Sequence, residues 1–84
     1  MDYRVYIIRN LEGRRYIGIT EEVARRLRQH NAGESKWTSR HGPWELEWLS
    51  SAMSLGKARK LENLMKRQKG GAGLATLMSR YQGS

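Results

Sequence analysis

Two short runs of β-branched and aromatic residues lie close together near the start of the chain, at positions 3–10 and 14–20. Both runs alternate in polarity, which is typical of β-strands, and the three residues between them end in the turn-forming Gly13. A connection this short joins antiparallel strands, since parallel strands need a crossover of about a dozen residues or more. The sequence therefore predicts an antiparallel hairpin.

Within this hairpin, the two-residue period decides which side chains share a face. Val5 and Ile7 are expected on one face of the first strand and Tyr6 on the other. If Tyr6 pairs with Gly18, then Tyr16 lies on the same face as Tyr6, because Tyr16 and Gly18 are two residues apart. A glycine at that position leaves room for an aromatic ring or a ligand.

A helix is predicted directly after the hairpin. Thr20 followed by two glutamates is typical of a helix N-terminus, and an amphipathic pattern then continues to about Asn31. Arg26 and His30 are four residues apart, so they are expected along one edge of this helix. Residues 32–43 are polar, basic and poor in aliphatic side chains, which predicts a loop.

The second half of the chain predicts one more strand and two more helices. Positions 44–49 alternate, so Trp44, Leu46 and Trp48 are expected to point inwards. Ser54 is a suitable N-cap for the next helix, and glycines at 70, 71 and 73 interrupt the helical pattern before a short final helix. The order β-β-α-β-α-α indicates a small α/β domain of the α+β type, with a three-stranded sheet flanked by three helices. The apolar stripes of the last two helices are Leu55, Ala58, Leu61, Met65 and Leu74, Leu77, Met78, Tyr81.

The charge of the chain narrows its class of partner. Sixteen Lys and Arg residues against eight Asp and Glu give a net charge of +8 over 84 residues, which favours polyanions such as nucleic acid. The absence of cysteine excludes disulfides and thiolate zinc sites. No stretch is as long and apolar as a membrane span, and the N-terminus does not resemble a signal peptide, so a cytoplasmic protein is expected.

Five side chains are suited to phosphodiester hydrolysis. This reaction needs an activated water, a cation near the charge that develops on the phosphate, and usually a divalent metal ion. A tyrosine can act as general base if a nearby cation lowers its pKa from about 10. One glutamate can hold Mg²⁺ when water and phosphate oxygens complete the coordination shell. The candidates are Tyr6, Tyr16, Arg26, His30 and Glu62.

The hairpin also carries a pair of triplets that resemble those of a known family. Val5, Tyr6 and Ile7 in the first strand and Tyr16, Ile17 and Gly18 in the second resemble the paired signatures of the GIY-YIG nuclease superfamily. The resemblance covers nearly the whole chain and is greatest to the short, single-domain bacterial branch, so it implies one endonuclease-like domain over residues 1–84. Further matching positions are Ala24 to Leu27, His30 and Asn31, Lys36 to Thr38, Pro43 to Leu46, and Glu62 followed by Lys66.

The resemblance implies a role for each candidate residue. Tyr6 corresponds to the general base, with Tyr16 as the alternative base or an orienting partner. Arg26 corresponds to the catalytic arginine, His30 to a position near the reacting water, and Glu62 to the ligand of one divalent ion, Mg²⁺ or Mn²⁺. The implied reaction is endonucleolytic cleavage of DNA, with RNA as the alternative, in repair or recombination near the nucleoid. The residues expected to bind nucleic acid are Arg25, Lys36, Trp37, Arg40 and Lys66.

Two positions depart from the family pattern, and several alternative interpretations stay open. Arg4 replaces the glycine of the first triplet, and Ile19 stands where excision-repair members carry lysine. Glu62 precedes Lys66 by four residues, so an ordinary surface ion pair also explains it. Trp37 is equally compatible with stacking on a nucleobase and with packing on the protein surface. The alternative functions are a nucleic-acid-binding module that is non-catalytic or depends on a partner protein, and a basic structural protein.

Overall fold

The computed structural model describes residues 2–33, 40–68 and 71–83. The elements in these ranges follow the predicted order, and the three strands form one antiparallel sheet in the order β2-β1-β3. None of the described helices is long and apolar enough to cross a lipid bilayer. The predicted α+β class is confirmed. The elements are β1 (Arg4–Arg9), β2 (Arg15–Thr20), α1 (Val23–Asn31), β3 (Glu45–Leu49), α2 (Leu55–Lys66) and α3 (Gly71–Tyr81).

The central strand β1 is buried on both faces. Val5 and Ile7 belong to a core cluster formed with α2 and α3, whereas Tyr6 and Ile8 belong to a second cluster against which α1 packs. Alternation along the strand sends successive side chains to opposite faces, as predicted. Burying each of these side chains stabilises the fold by roughly 1.5 to 3 kcal/mol. The sheet therefore lies between α1 on one side and the last two helices on the other.

The hairpin has the register that places both tyrosines on one face, because Tyr6 pairs with Gly18. Gly13 in the turn has a positive φ of 85°, a conformation that glycine adopts without strain.

Asn10, which the sequence analysis did not single out, organises this turn. Its Oδ1 accepts hydrogen bonds from the backbone N–H of Glu12 at 3.1 Å and from the backbone N–H of Arg14 at 2.8 Å.

A β-bulge in β3 overturns one prediction. The pairing with β1 passes from Trp48 to Leu46, so Glu47 has no partner in the ladder and the side-chain alternation changes phase there. Trp48 packs in the cluster of Ile7, whereas Trp44 precedes the strand and packs in the cluster of Tyr6. Leu46 is 40% exposed. The expectation that the two tryptophans and Leu46 share one inward face is wrong, although both indoles are buried as predicted.

Two predicted helix boundaries also need correction. Thr20 is the last residue of β2 and not the N-cap of α1, which begins at Val23 after Glu22. The Thr20 hydroxyl instead accepts a hydrogen bond from the backbone N–H of Glu22 at 3.0 Å, a local turn that competes with helix formation. Gly71 and Gly73 lie within the first turn of α3, so the helical break is shorter than predicted.

The predicted N-cap of α2 is confirmed, whereas the predicted loop over 32–43 is wrong in part. Ser54 caps α2 as predicted, since its Oγ accepts a hydrogen bond from the Lys57 backbone N–H at 3.3 Å. Arg40 and His41 are helical, so the prediction of a continuous loop over 32–43 is wrong at these residues. The remaining loop candidates, Lys36 and Trp37, lie outside the described residues.

Candidate functional site

The phenol of Tyr6 is the centre of a polar cluster inside the fold. Tyr6 is almost fully buried on β1, and its hydroxyl oxygen lies 2.8 Å from Nε2 of His30 and 3.3 Å from Nε of Arg26. Both partners come from α1, one helical turn apart, so the same edge of that helix presents them to the sheet. The structure thus brings together three of the residues that the sequence singled out.

Tyr16 completes this cluster from the second strand. Its ring centroid is 4.8 Å from that of His30 and 6.3 Å from that of Tyr6, distances typical of packed aromatic pairs. The guanidinium of Arg26 also interacts with the Tyr16 phenol. Tyr16 remains partly exposed. We call Tyr6, Tyr16, Arg26 and His30 the tyrosine site.

Gly18 makes this arrangement sterically possible. A Cβ atom at Gly18 would lie 2.5 Å from the Tyr6 hydroxyl oxygen and 2.7 Å from the ring carbon that carries it. Real Cβ atoms do not approach other atoms so closely, so any larger residue would displace the Tyr6 ring. Since the ring is held by His30 and Arg26, displacement would separate it from both.

The protonation states in the site follow from burial and from the neighbouring cation. Burial, together with the positive charge of Arg26, lowers the pKa of His30, so its imidazole is neutral at neutral pH. Burial raises the pKa of Tyr6, and the hydrogen bond from Arg26 opposes this effect. Arg26 can only donate to the phenolic oxygen, whereas the direction of the hydrogen bond between that oxygen and Nε2 of His30 depends on the imidazole tautomer. In the tautomer that carries its proton on Nδ1, Nε2 is an acceptor for the phenolic hydrogen of Tyr6.

Glu62 lies on α2. Its negative charge contributes to raising the pKa of Tyr6 in the tyrosine site. Its side chain is 19% exposed, and its Oε2 lies 3.1 Å from Nζ of Lys66. The ordinary i,i+4 ion pair considered as an alternative is therefore present.

The donor set around Glu62 fits one weakly held divalent ion. Within residues 2–33, 40–68 and 71–83, no three His, Cys, Asp or Glu side chains lie together as a metal cluster. A metal ion on Glu62 would consequently take most of its ligands from water and phosphate oxygens, which is the habit of Mg²⁺. The carboxylate already attracts one cation, the ammonium of Lys66.

Two residues that the sequence analysis did not assign to the site support it, Gln29 within α1 and Asn31 at the end of α1. Gln29 accepts a hydrogen bond from Nη1 of Arg26 at 3.0 Å. Gln29 is three residues after Arg26, and this helical spacing could have indicated the contact from the sequence. Asn31 binds the backbone of Trp44 twice, accepting from its N–H at 2.7 Å and donating to its carbonyl at 3.1 Å. The side-chain amide of Asn31 thereby ties the end of α1 to the start of β3, a contact across thirteen residues that no local pattern indicates.

The basic residues expected to bind nucleic acid have different positions. Arg25 is exposed and lines a shallow depression together with Arg26. Lys66 is exposed and lines a different depression together with Tyr16. Arg40 is exposed at the edge of the described part of the chain.

The fold and the tyrosine site together define the class of protein. Two hairpin tyrosines facing an arginine and a histidine on the next helix agree with the resemblance seen in the sequence. Residues 2–74 match the family model of the GIY-YIG catalytic domain, and the chain belongs to this family.

The similar proteins include short bacterial members of this family. The UPF0213 protein of Aeromonas hydrophila is 37% identical over 65 residues, which are 76% of this chain and 48% of that protein, so the chain spans about half of its length. The solution NMR structure of the UPF0213 protein BH0048 from Bacillus halodurans has a TM-score of 0.57 and 30% identity, covering 99% of this chain and 88% of the other. The predicted membership of a short bacterial branch is confirmed.

A shorter segment is similar to a eukaryotic nuclease subunit. Over 38 residues, the chain is 55% identical to the structure-specific endonuclease subunit SLX1 of Mus musculus, covering 40% of this chain and 14% of that protein.

Proposed function

We propose that the protein is a divalent-metal-dependent endonuclease that hydrolyses phosphodiester bonds of DNA. The observation that carries this proposal is the Tyr6 phenol held between Nε2 of His30 at 2.8 Å and Nε of Arg26 at 3.3 Å. Family membership and the net charge of +8 support the same conclusion.

Tyr6 is the general base in this proposal. The phenol oxygen takes a proton from the attacking water while the phenolic hydrogen passes to Nε2 of neutral His30. The resulting hydroxide forms a bond to phosphorus as the bond to the leaving oxygen breaks. The leaving oxygen takes a proton from solvent, and His30 returns its proton to solvent. The coupled transfer through Tyr6 avoids a free phenolate, whose formation the buried position of Tyr6 disfavours.

Arg26 and Tyr16 act on the phosphate side of the same site. The Arg26 guanidinium stabilises the negative charge that accumulates on the phosphate in the transition state. Tyr16 is more exposed than Tyr6, so we assign it the orientation of the water or phosphate, with the role of base as its alternative.

Glu62 is the residue that holds one Mg²⁺ or Mn²⁺ ion. When bound, this ion polarises the phosphate oxygens and neutralises part of their charge. Four basic residues and one tryptophan bind the DNA backbone in this proposal, so that binding weakens as salt rises. These residues are Arg25, Lys36, Trp37, Arg40 and Lys66.

The similarity to a structure-specific endonuclease subunit supports branched DNA as the first substrate to test. The word subunit in that name also supports a requirement for a partner protein. A role in repair or recombination would place the protein with the nucleoid in the cytoplasm.

Nicking assays on branched, flapped and linear DNA test the proposal. Wild-type protein is expected to cut with Mg²⁺ and not with EDTA, and Glu62→Gln is expected to be inactive. Glu45→Gln is the matched control, because Glu45 is an exposed carboxylate at the start of β3, where it pairs with Arg9 in the ladder. Equal cutting by the wild type and Glu62→Gln would refute the assignment.

A second candidate function is a nucleic-acid-binding module without turnover of its own. The observation that favours it is the burial of Tyr6, whose exposed fraction is only 1% and whose hydroxyl is already held by two protein groups. This function predicts DNA binding that falls steeply with salt and no cleavage with any divalent metal.

A further inference from the structure

Glu62, the residue that the proposed function assigns to the metal, forms an ion pair with Lys66. Lys66 lines the same depression as Tyr16 of the tyrosine site. Glu62 and Lys66 are one helical turn apart on α2, with Oε2 of Glu62 3.1 Å from Nζ of Lys66. Glutamate on the N-terminal side of lysine is the favourable orientation for such a pair. In the absence of metal, the carboxylate is therefore partly neutralised by a cation of the protein itself.

A divalent ion and the Lys66 ammonium cannot share this carboxylate at contact distance without strong repulsion. Like charges a few ångströms apart repel, and the repulsion is larger at a partly buried site than in water. The Lys66 side chain is 52% exposed, and exposed ion pairs of this kind are weak. Metal binding can thus displace the ammonium, which moves on a flexible stem.

The displaced ammonium has a suitable destination. Lys66 and Tyr16 line the same shallow depression, together with Arg15 and Gln68. A phosphate next to Tyr16 in this depression would lie within reach of the Lys66 side chain, whose ammonium would then be free to donate to it.

We propose that Lys66 competes with the divalent ion for Glu62, and that metal binding releases Lys66 to bind a DNA phosphate beside Tyr16. This inference rests on the proposed function, because it requires metal binding at Glu62. Because coupling between two binding sites is reciprocal, DNA that binds Lys66 also exposes Glu62 to the metal, so each ligand raises the affinity for the other.

The test compares Lys66→Met with Lys57→Met, which removes the same charge from an exposed position of α2 that makes no ion pair among the described residues. Mn²⁺ affinity is measured by isothermal titration calorimetry without DNA. DNA affinity is then measured in EDTA and in Ca²⁺ at fixed ionic strength. Lys66→Met is expected to bind Mn²⁺ about two- to five-fold more tightly than wild type, the range that an exposed ion pair provides. Its gain in DNA affinity on adding Ca²⁺ is expected to shrink by a similar factor, whereas Lys57→Met matches wild type in both.

The outcomes separate this inference from the proposed function. If Lys66→Met lowers stability but leaves the Mn²⁺ affinity unchanged, Lys66 only supports the helix and the inference is wrong, while the nuclease proposal stands. If Glu62→Gln binds Mn²⁺ as tightly as wild type, Glu62 is not the metal ligand, and both the metal assignment and the inference fail. If Lys66→Met binds Mn²⁺ more tightly than wild type but gains as much DNA affinity as wild type on adding Ca²⁺, metal binding does not release Lys66 to the DNA, and the inference is wrong.

Discussion

The α-carbon of Gly18 lies under the phenol of Tyr6, so close that an added methyl group would meet the hydroxyl oxygen at 2.5 Å. We therefore expect Gly18→Ala to destabilise the protein by about 1 to 3 kcal/mol, the usual effect of overpacking a buried site. The free energy of unfolding from urea denaturation measures this. Nicking activity is expected to fall as well, because the displaced phenol loses its contacts with His30 and Arg26.

Gly56→Ala is the matched control for this substitution. Gly56 lies in α2, and nothing surrounds the position where its Cβ would be. Alanine there is expected to leave the protein as stable as before or to stabilise it by up to about 1 kcal/mol, because alanine favours helix. Equal losses of stability in both variants would contradict the steric argument at Gly18.

Tyr6→Phe removes one oxygen atom from the centre of the site. Buried His30 and partly buried Arg26 each lose a partner, so a loss of about 1 to 3 kcal/mol in unfolding free energy is expected. If Tyr6 is the base, single-turnover cleavage of DNA falls by roughly a hundred-fold or more. Tyr16→Phe, compared at the same enzyme concentration, is expected to retain more activity. The reverse ranking would transfer the role of base to Tyr16.

Arg26→Lys keeps the charge at the site but not the shape of the guanidinium. Lysine cannot reproduce the two directed contacts with Tyr6 and Gln29, so the cleavage rate is expected to fall by roughly a hundred-fold at saturating DNA. Arg28→Lys on an exposed face of α1 serves as the control. Similar rates for these two variants would show that Arg26 contributes only charge.

His30 makes stability depend on pH in a defined direction. The unfolded chain has a histidine pKa of about 6.5, and burial lowers the pKa of folded His30 below that value. Below pH 6.5, the unfolded state therefore binds a proton that the folded state does not. The stability contributed by neutral His30 is fully present above the unfolded pKa and is lost as pH falls towards the folded pKa, by up to about 1.4 kcal/mol per pH unit.

Urea denaturation between pH 5 and pH 8 checks this dependence. Comparison of the wild type with His30→Gln isolates the contribution of His30, because the rest of the chain titrates in both proteins. The variant is expected to be less stable at pH 8 but to lose less stability on acidification. Parallel curves for the two proteins would show that His30 is not held neutral by the fold.

The local features of the fold could be predicted from the sequence because they depend on short-range periods. Alternation and the turn at Gly13 predicted the hairpin, and helical spacing predicted that Arg26 and His30 share an edge. The pairing of Tyr6 with Gly18 was only a condition of the prediction, because alternation does not fix the register. The bulge at Glu47 could not be predicted, since alternation assumes an uninterrupted ladder.

The protonation states of the site residues could not be predicted from the sequence either. His30 is neutral because it is buried and lies near Arg26, and the adjacent Asn31 ties the end of α1 to the backbone of Trp44. Contacts between residues distant in sequence leave no periodic signal. The sequence indicated which tyrosines, arginine and histidine would lie together, but their protonation states required the structure.

The double hydrogen bond between Asn31 and the backbone of Trp44 also bears on how much the segment between these two residues can vary. It closes the base of the intervening segment, so that segment can change length or composition while its two ends stay in place. The entropic cost of a longer loop grows only slowly with its length, by about 0.6 kcal/mol for each doubling. Changes in that segment are therefore expected to leave the arginine and histidine of the preceding helix in place.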